Sequence, residues 1–163
     1  GGYVLATCHR AENTDDPQRL SQIVSALAEI TKQMPVVLPL HPRTRKLIAD
    51  NGLDERLRSV IVTDPIPFLD MVALEQAARV ILTDSGGVQK EAFFYGVPCV
   101  TMRDETEWVE TVELGWNRLV GASAEAIVAA VSEVTLAVPT VPEVSPYGQG
   151  DSARKIVACI INR

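Results

Sequence analysis

A strand-turn-helix-strand pattern in residues 80–101 constrains the fold of this 163-residue chain more than any other stretch. Its first segment, Val80–Thr83, is a β-branched run of the kind that fills a buried parallel strand. Asp84–Gly87 then interrupts the apolar pattern, and apolar residues recur at helical spacing over Val88–Tyr95. A second apolar strand follows at Cys99–Thr101. Two strands joined by a helix predict a parallel α/β unit.

Strand and helix patterns alternate in this way about six times along the chain. The first and fourth strands lack polar alternation, which indicates burial on both faces and helices on each side of the sheet. We therefore predict a Rossmann-like three-layer α/β fold with strand order 3-2-1-4-5-6, formed by residues 1–163 as one domain. The predicted strands are Tyr3–Cys8, Val36–Leu40, Val60–Val62, Val80–Thr83, Cys99–Thr101 and Asn117–Gly121.

Prolines mark several boundaries of these elements. Pro17 and Pro67 are each expected to be the first residue of a helix, Pro17 following an aspartate cap. Pro39 is awkward in a central strand, so the second strand is expected to end or bulge there. The Pro-rich residues 138–147 predict an extended crossing segment, which leads to a last helix over about residues 150–162.

Charge and cysteine content argue against several classes of protein. Fifteen basic and twenty-one acidic residues give a net charge of −6, which disfavours nucleic acid or an anionic membrane as the main partner. The three cysteines are isolated, and no Cys/His spacing predicts a metal site. The sequence contains no recognisable signal peptide or membrane-spanning run, so a reducing cytoplasm is the expected compartment.

The turn at Asp84–Gly87 is the main candidate for a ligand site. Its two glycines let the backbone approach a ligand, and the next helix begins with unpaired N–H groups that suit a phosphate. Glu91 lies one helical turn later, where a carboxylate suits ribose hydroxyls and would repel a phosphate. The stretch therefore indicates a nucleoside diphosphate, although an ordinary turn capped by Ser85 has the same short motif. No G-x-G-x-x-G follows the first strand, which disfavours a nicotinamide dehydrogenase.

Polar side chains also follow other strands, at the edge where open parallel sheets bind ligands. His9, Arg10 and Glu12 follow the first strand and are interpreted as ligand-facing. The alternative is a histidine satisfied by the backbone of its loop. Arg103 and Glu107 follow the fifth strand, where Arg103 would neutralise a diphosphate and Glu107 would hold Arg10 or a hydroxyl. The alternative there is a solvated charged loop.

Four segments together carry a family resemblance: HRAEN, HPR, TDSGGVQKEAFFYGVPCVTMRDETEW and SPYGQGDSARKI. From about Tyr3 to its end, the chain resembles the C-terminal half of the non-hydrolysing UDP-N-acetylglucosamine 2-epimerases. The resemblance implies one of two Rossmann-like domains in a glycosyltransferase-B arrangement, with the active site between them. It also implies interconversion of UDP-N-acetylglucosamine and UDP-N-acetylmannosamine by elimination and readdition of UDP, without metal or cofactor.

The resemblance assigns roles to the central turn and its neighbours. Ser85, Gly86 and Gly87 correspond to the turn that binds the diphosphate in the family. Glu91 corresponds to the carboxylate that takes the ribose hydroxyls, and Arg103 to the basic residue near the phosphates.

Three more positions receive roles from the same resemblance. His9 and Arg10 match a pair that faces the cleft, with His9 expected beside the sugar and diphosphate as the catalytic residue of this half. The backbone near Pro67 and Phe68 is expected to meet the uracil. His41 lies where bacterial members place a histidine near an activating second UDP-sugar, although the surrounding HPR differs from the family motif.

The resemblance also implies partners. The family's N-terminal domain, which supplies the catalytic carboxylates, has no counterpart in this sequence, so we expect a folded but inactive half. The full-length protein is expected to be a homodimer that serves cell-surface polysaccharide biosynthesis in the cytoplasm. Two alternatives remain: the donor-binding domain of a UDP-sugar glycosyltransferase, and a non-catalytic module that binds nucleotide or a protein partner.

Overall fold

The computed structural model describes residues 2–136, 146–148 and 150–161, in which six strands alternate with helices. The strands are β1 (Val4–Thr7), β2 (Val36–Pro39), β3 (Ile61–Thr63), β4 (Val80–Thr83), β5 (Cys99–Thr101) and β6 (Asn117–Leu119). The helices are α1 (Ala11–Thr14), α2 (Pro17–Ile30), α3 (Pro42–Asp50), α4 (Phe68–Ala77), α5 (Gly86–Tyr95), α6 (Val109–Glu113), α7 (Ala124–Leu136) and α8 (Ser152–Ile161). A 3₁₀ turn, Asp54–Leu57, precedes β3.

The strands form one parallel sheet in the order β3-β2-β1-β4-β5-β6, which confirms the predicted order. In this register Thr7 of β1 pairs with Thr83 of β4, and Thr83 pairs with Thr101 of β5. Because the carboxyl ends of these three central strands are level, the loops that follow them meet at one edge of the sheet.

Each face of the sheet contributes to its own hydrophobic core, because successive side chains of a strand point to opposite faces. Val4 and Ala6 of β1 enter the larger core, which contains the apolar residues of α2, α3 and α7. Leu5 enters the smaller core, together with residues of α4 and α5. These strand residues are at most 1% exposed, so helices cover both faces and the predicted three-layer α/β fold is confirmed.

α5 begins two residues earlier than the apolar spacing predicts, at Gly86 instead of Val88. The carbonyl of Ser85 accepts the N–H of Gln89 at 3.1 Å, which closes the first helical turn around the two glycines. The glycines therefore belong to the helix itself, because backbone hydrogen bonding and not apolar spacing determines where a helix begins.

The prolines have the predicted roles at two of three positions. Pro17 is the first residue of α2, whose cap Asp16 accepts backbone N–H groups, and Pro39 is the last residue of β2. Pro67 was expected to be the first residue of α4, and this is wrong. It is the N-cap, because its carbonyl accepts the N–H of Met71 at 2.9 Å while its ψ of 150° is extended.

The predicted crossing segment, residues 138–147, lies almost entirely outside the described residues. α8 lies within the range expected for the last helix. Its apolar side chains Ile156, Val157 and Ile160 are 59%, 53% and 69% exposed, and no described residue of α8 is buried. Across the described ranges, none of the helices has both the length and the apolar character needed to cross a bilayer.

Candidate functional site

Three loops meet at the carboxyl edge of the sheet, one after each of β1, β4 and β5. A buried threonine pair links β1 to β4, with Thr7 Oγ1 and Thr83 Oγ1 2.6 Å apart. Thr83 Oγ1 also accepts the backbone N–H of Ser85 at 2.9 Å. These bonds set the direction in which the chain leaves β4 and so position the start of α5.

Asp84 is fully buried and holds the loop that follows β1. Its carboxylate accepts the backbone N–H of His9 at 3.1 and 3.2 Å and that of Arg10 at 3.0 Å. Asn13 Nδ2 donates to the same carboxylate at 3.2 Å, and His9 Nδ1 lies 3.7 Å from Asp84 Oδ1. Asp84 therefore positions the backbone of His9 and Arg10.

Asn13 extends this network to the loop after β5. It is fully buried, and its Nδ2 also donates to the carbonyl of Met102 at 2.8 Å. Its Oδ1 accepts from Arg19 Nε at 3.0 Å, and the guanidinium of Arg19 pairs with Asp104 at 3.0 Å and with Glu12 at 3.3 Å. Glu12, predicted to face a ligand, thus contacts Arg19 and supports the network from α1.

The first turn of α5 keeps its N–H donors available. Ser85 is the N-cap, but its side chain accepts no N–H of the helix, so the alternative of a Ser-capped turn is not what the structure contains. A Cβ added at Gly87 would have no described atom nearer than Ser85 Oγ, at 3.8 Å. The backbone here combines free donors, the positive end of a helix dipole and open space.

Glu107 lies directly against Gly86. A Cβ at Gly86 would clash with Glu107 Oε1, so the carboxylate occupies the space that any other residue would need. Glu107 Oε2 accepts from Arg103 Nη1 at 2.8 Å. A hydrogen bond from its own backbone N–H, the bond from Arg103 and the charge of Arg10 lower the pKa of Glu107.

Arg103 keeps one donor unused beside this helix start. Its side chain is only 11% exposed, and its Nε has no hydrogen-bond partner among the described residues. Trp108 Nε1 is likewise buried without a partner, 3.4 Å from the Cβ position of Gly86. Buried donors without acceptors are uncommon, which makes this corner suited to an anion.

The seam between α4 and α5 contains two carboxylic acids, Glu75 and Glu91. Glu75 is 1% exposed, and its Oε2 has no partner in the described part of the chain. Burial and then the charge of Glu91 raise the pKa of Glu75 to about 7. Burial and both carboxylates raise the pKa of Tyr95, one turn after Glu91.

At the start of α4, Phe68 is 70% exposed.

His41 caps α3, accepting the N–H of Arg43 on its Nδ1 at 3.2 Å. Arg43 in turn pairs with Asp15 and donates to Thr14 Oγ1 at 3.2 Å. His41 therefore has a structural contact, while its ring remains exposed at the edge of the sheet.

Lys90 lies among aromatic rings on the outer side of α5. Its Nζ is 4.3 Å from the ring centroid of Trp108 and 4.6 Å from that of Tyr147. Burial, together with the charge and hydrogen bond of Glu110, raises the pKa of Tyr147 to about 12. These contacts hold Tyr147 against α5.

The two buried cysteines provide no reactive thiol, and the acidic residues of the described ranges provide no metal site. Burial raises the pKa of Cys99 to about 12, and burial with the nearby charge of Asp84 raises the pKa of Cys8, so both thiols are unreactive. In residues 2–136, 146–148 and 150–161, no three His, Cys, Asp or Glu side chains are grouped to hold a metal ion.

The structure brings several predicted site residues together. Ser85, Gly86, Gly87, Arg103 and Glu107 surround the start of α5, and the loop that contains His9 and Arg10 is bonded to the same corner through Asp84. The sequence prediction assigned no individual role to Asp84, Arg19, Glu75 or Lys90, and it placed Asn13 only among the polar side chains of the ligand-facing loop after the first strand.

The fold, with a glycine-opened helix after β4, defines the class: a Rossmann-like α/β domain matching one part of glycosyltransferase-B-type epimerase structures. The sequence profile described as UDP-N-acetylglucosamine 2-epimerase matches residues 1–161. The chain belongs to this family, which confirms the resemblance seen in the sequence.

Individual relatives agree with this assignment. The chain is 53% identical over 156 residues to UDP-2,3-diacetamido-2,3-dideoxy-D-glucuronate 2-epimerase of Pseudomonas aeruginosa. The matched region covers 95% of this chain and 43% of the relative. The chain is 42% identical over 160 residues to UDP-N-acetylglucosamine 2-epimerase of Methanocaldococcus jannaschii, with the same coverage. The chain thus spans less than half the length of these relatives.

Solved structures give the same result. The UDP-GlcNAc 2-epimerase of Methanocaldococcus jannaschii superposes with a TM-score of 0.88 at 38% identity, covering 99% of this chain and 46% of that one. The enzyme of Neisseria meningitidis bound to UDP-GlcNAc gives 0.82 at 30% identity, with 100% and 45% covered.

Proposed function

We propose that this chain is the UDP-binding half of an enzyme that interconverts UDP-N-acetylglucosamine and UDP-N-acetylmannosamine. Its residues 1–163 then form one domain, which corresponds to the C-terminal half of the complete protein. Family membership supports this proposal, as does the Methanocaldococcus jannaschii relative, of which one solved structure is a complex with UDP-GlcNAc and UDP.

The observation that carries the proposal is the first turn of α5, with open N–H groups beside a buried guanidinium. In the proposal, Gly86 and Gly87 bind the diphosphate through these N–H groups and Ser85 binds it through its hydroxyl, while Arg103 neutralises it. Glu91, one turn along the helix, accepts the ribose hydroxyls. The exposed Phe68 at the start of α4 meets the uracil.

The proposed reaction is an elimination followed by readdition. A base removes the proton at C2, the C1–O bond breaks with its electron pair leaving on UDP, and a 2-acetamidoglucal remains. Donors fixed at Gly86, Gly87 and Arg103 stabilise the negative charge that develops on the departing diphosphate. They also hold UDP for readdition after C2 is reprotonated on its other face. His9, whose backbone Asp84 holds, is the residue of this half nearest the reacting sugar.

This mechanism makes solvent exchange at C2 the test of function. In deuterated water, we expect the complete protein to convert UDP-N-acetylglucosamine with one deuteron gained at C2 of the product, measured by mass spectrometry and proton NMR. The 163-residue chain alone should show no conversion, because the base belongs to the proposed N-terminal domain. Conversion without deuterium, or conversion by the chain alone, would contradict the proposal.

Gly87 provides a test of the diphosphate site that leaves the fold intact. We expect Gly87→Ala to weaken UDP binding about 10- to 100-fold, because its methyl group blocks approach to backbone N–H groups that bind a charged ligand. The variant should unfold at an equal or higher temperature, since alanine favours helix by roughly 0.5–1 kcal/mol and has room there. Calorimetric titration with UDP measures the first effect and thermal unfolding the second.

Gly2→Ala is the matched control, because the Cβ position of Gly2 has no described atom within 4 Å and lies in the chain before β1. Its UDP affinity should equal that of the unsubstituted chain. Undiminished UDP binding by Gly87→Ala would mean that the diphosphate binds elsewhere.

A second candidate substrate has a specific observation in its favour. The relative from Pseudomonas aeruginosa is named as an epimerase of UDP-2,3-diacetamido-2,3-dideoxy-D-glucuronate, and its 53% identity exceeds the 42% of the Methanocaldococcus jannaschii enzyme. Both sugars have an acetamido group at C2, so the same elimination applies. Comparison of kcat/KM for the two substrates in the complete protein decides between them.

We also propose partners and a compartment that accompany this activity. These are an N-terminal domain of the same protein, a homodimer of the complete enzyme, and the cytoplasm as the place of nucleotide-sugar chemistry that supplies surface polysaccharides. Transfer of sugar to an acceptor would instead indicate a glycosyltransferase. UDP binding without any conversion by the complete protein would indicate a non-catalytic module.

A further inference from the structure

Glu75 is an acid for which the proposed function has so far provided no role. It is 1% exposed, and its Oε2 has no hydrogen-bond partner among the described residues. Burying a carboxylic acid in this way is costly and uncommon unless the group is neutral or has a function. The charged groups around Glu75 therefore determine which form of the acid is favoured.

Helical geometry places Glu75 and Glu91 in the same seam. Val88 and Tyr95 of α5 pack in one cluster with Met71 and Leu74 of α4. Glu91 is three residues after Val88 and four before Tyr95, so it lies on the face of α5 that meets α4.

On the other side of the seam, Glu75 is four residues after Met71, so it lies on the corresponding face of α4. The two carboxyl groups interact electrostatically across the seam.

Lys90 and Arg79, two cationic residues on or beside the helices of the seam, contact other groups. Lys90 lies over the rings of Trp108 and Tyr147, and Arg79 donates to the carbonyl of Thr135 at 2.6 Å. In residues 2–136, 146–148 and 150–161, no Lys, Arg or His forms an ion pair with Glu75.

The other titratable groups near the seam carry no positive charge. Tyr95 of α5 interacts with both carboxylates, and Tyr3, before β1, donates its hydroxyl to the carbonyl of Leu74 at 2.7 Å. Asp70, also on α4, is exposed. Because no described cation compensates a second negative charge here, burial and the nearby carboxylate of Glu91 disfavour the ionised form of Glu75.

We propose that Glu75 is a positioning residue for the ribose site: in its neutral form it lets Glu91 carry the single charge of the pair, and its ionisation weakens binding of the UDP moiety. The inference rests on the proposed function. A bound diphosphate adds negative charge near the seam, which favours the protonated form of Glu75. By linkage, nucleotide-sugar binding then takes up a proton, and affinity falls as pH rises through the titration of Glu75.

UDP-N-acetylglucosamine is the suitable probe, because its diphosphate is esterified at both ends and does not titrate near neutral pH. We expect its affinity for the unsubstituted chain to fall about 3- to 10-fold between pH 6 and pH 8, since one proton changes affinity at most tenfold per pH unit. Glu75→Gln should bind at pH 8 nearly as tightly as at pH 6. Calorimetric titrations in buffers of different ionisation enthalpy should show proton uptake that this variant lacks.

Asp70→Asn is the matched control, since it removes an exposed acid from the same helix and should keep the original pH profile. Proton uptake by groups that all three proteins share contributes equally to each of them, so only the difference between them reports on Glu75. The carboxyl ¹³C resonance of Glu75 gives a second readout without substitution, and ligand should move its titration to higher pH.

Parallel affinity profiles for Glu75→Gln and the unsubstituted chain, or an equal loss of affinity at every pH, would overturn the inference and leave the proposed function standing. Absence of binding by the unsubstituted chain at every pH would overturn both.

Discussion

Asp84→Ala is expected to lose about 3–5 kcal/mol of unfolding free energy, the magnitude seen when one partner of a buried charged network is removed. The carboxylate accepts from the backbone of His9, the backbone of Arg10 and the side chain of Asn13, and the residue is fully buried. Alanine removes the acceptor of two backbone N–H groups and of one Asn13 N–H at a position that is fully buried. Urea unfolding followed by circular dichroism measures the loss as a lower midpoint.

Asp104→Ala is the comparison for this experiment, because Asp104 belongs to the same network through Arg19 but its side chain is 65% exposed. Its removal should cost less than about 1 kcal/mol, as for other exposed ion pairs. Equal effects of the two substitutions would show that burial of Asp84 does not matter. Asp84→Asn, which keeps the shape but adds a donor, should fall between them.

Stability should also depend on the ionisation of Glu75. Burial and the charge of Glu91 raise its folded-state pKa to about 7, whereas the unfolded chain has the ordinary value of about 4.3. Between these values the folded protein binds the proton that the unfolded chain has lost. The contribution of Glu75 is therefore present in full below the unfolded pKa and is lost as pH rises to about 7, by about 4 kcal/mol in total.

Glu75→Gln removes this dependence. Between pH 4.5 and pH 8, the unfolding free energy of Glu75→Gln should increase by about 3 kcal/mol relative to that of the unsubstituted chain. The difference isolates Glu75, since other acids titrate in both proteins. Asp70→Asn should show no such trend in urea unfolding. A constant difference across this pH range would mean that Glu75 is ionised in the folded protein throughout.

The two experiments separate stability from binding. Asp84 acts on the backbone that presents His9 and Arg10, so its loss should reduce both stability and ligand binding. Glu75→Gln should instead gain stability at high pH while it loses only the pH dependence of binding.

Much of the architecture could be predicted from local patterns. Apolar runs without polar alternation identify Val80–Thr83 as a buried parallel strand, and the alternation of strands with helices then leads to the observed strand order. The same reasoning identifies the loops after strands as candidate ligand sites, because parallel strands end at one edge. The family resemblance, which the comparisons confirm, added the assignment of roles to individual residues.

The exact ends of helices and the contact partners of exposed polar side chains were harder to predict from the sequence. The first turn of α5 begins at Gly86, because a hydrogen bond between backbone groups closes there regardless of apolar spacing. Glu12 binds Arg19 because the side chain of Asn13 brings that guanidinium to α1.

By itself, then, the sequence determined the order of elements, the parallel sheet and the family, since burial periodicity and local motifs are properties of short segments. Only the tertiary structure decided that Asp84 holds the loop at His9, that Glu107 fills the space beside Gly86 and that Glu75 is buried near Glu91. The bonds from Asp84 to the β1 loop join residues 71 to 75 positions apart. Such contacts exist only because strands and helices distant in the chain pack side by side, and no local pattern encodes them.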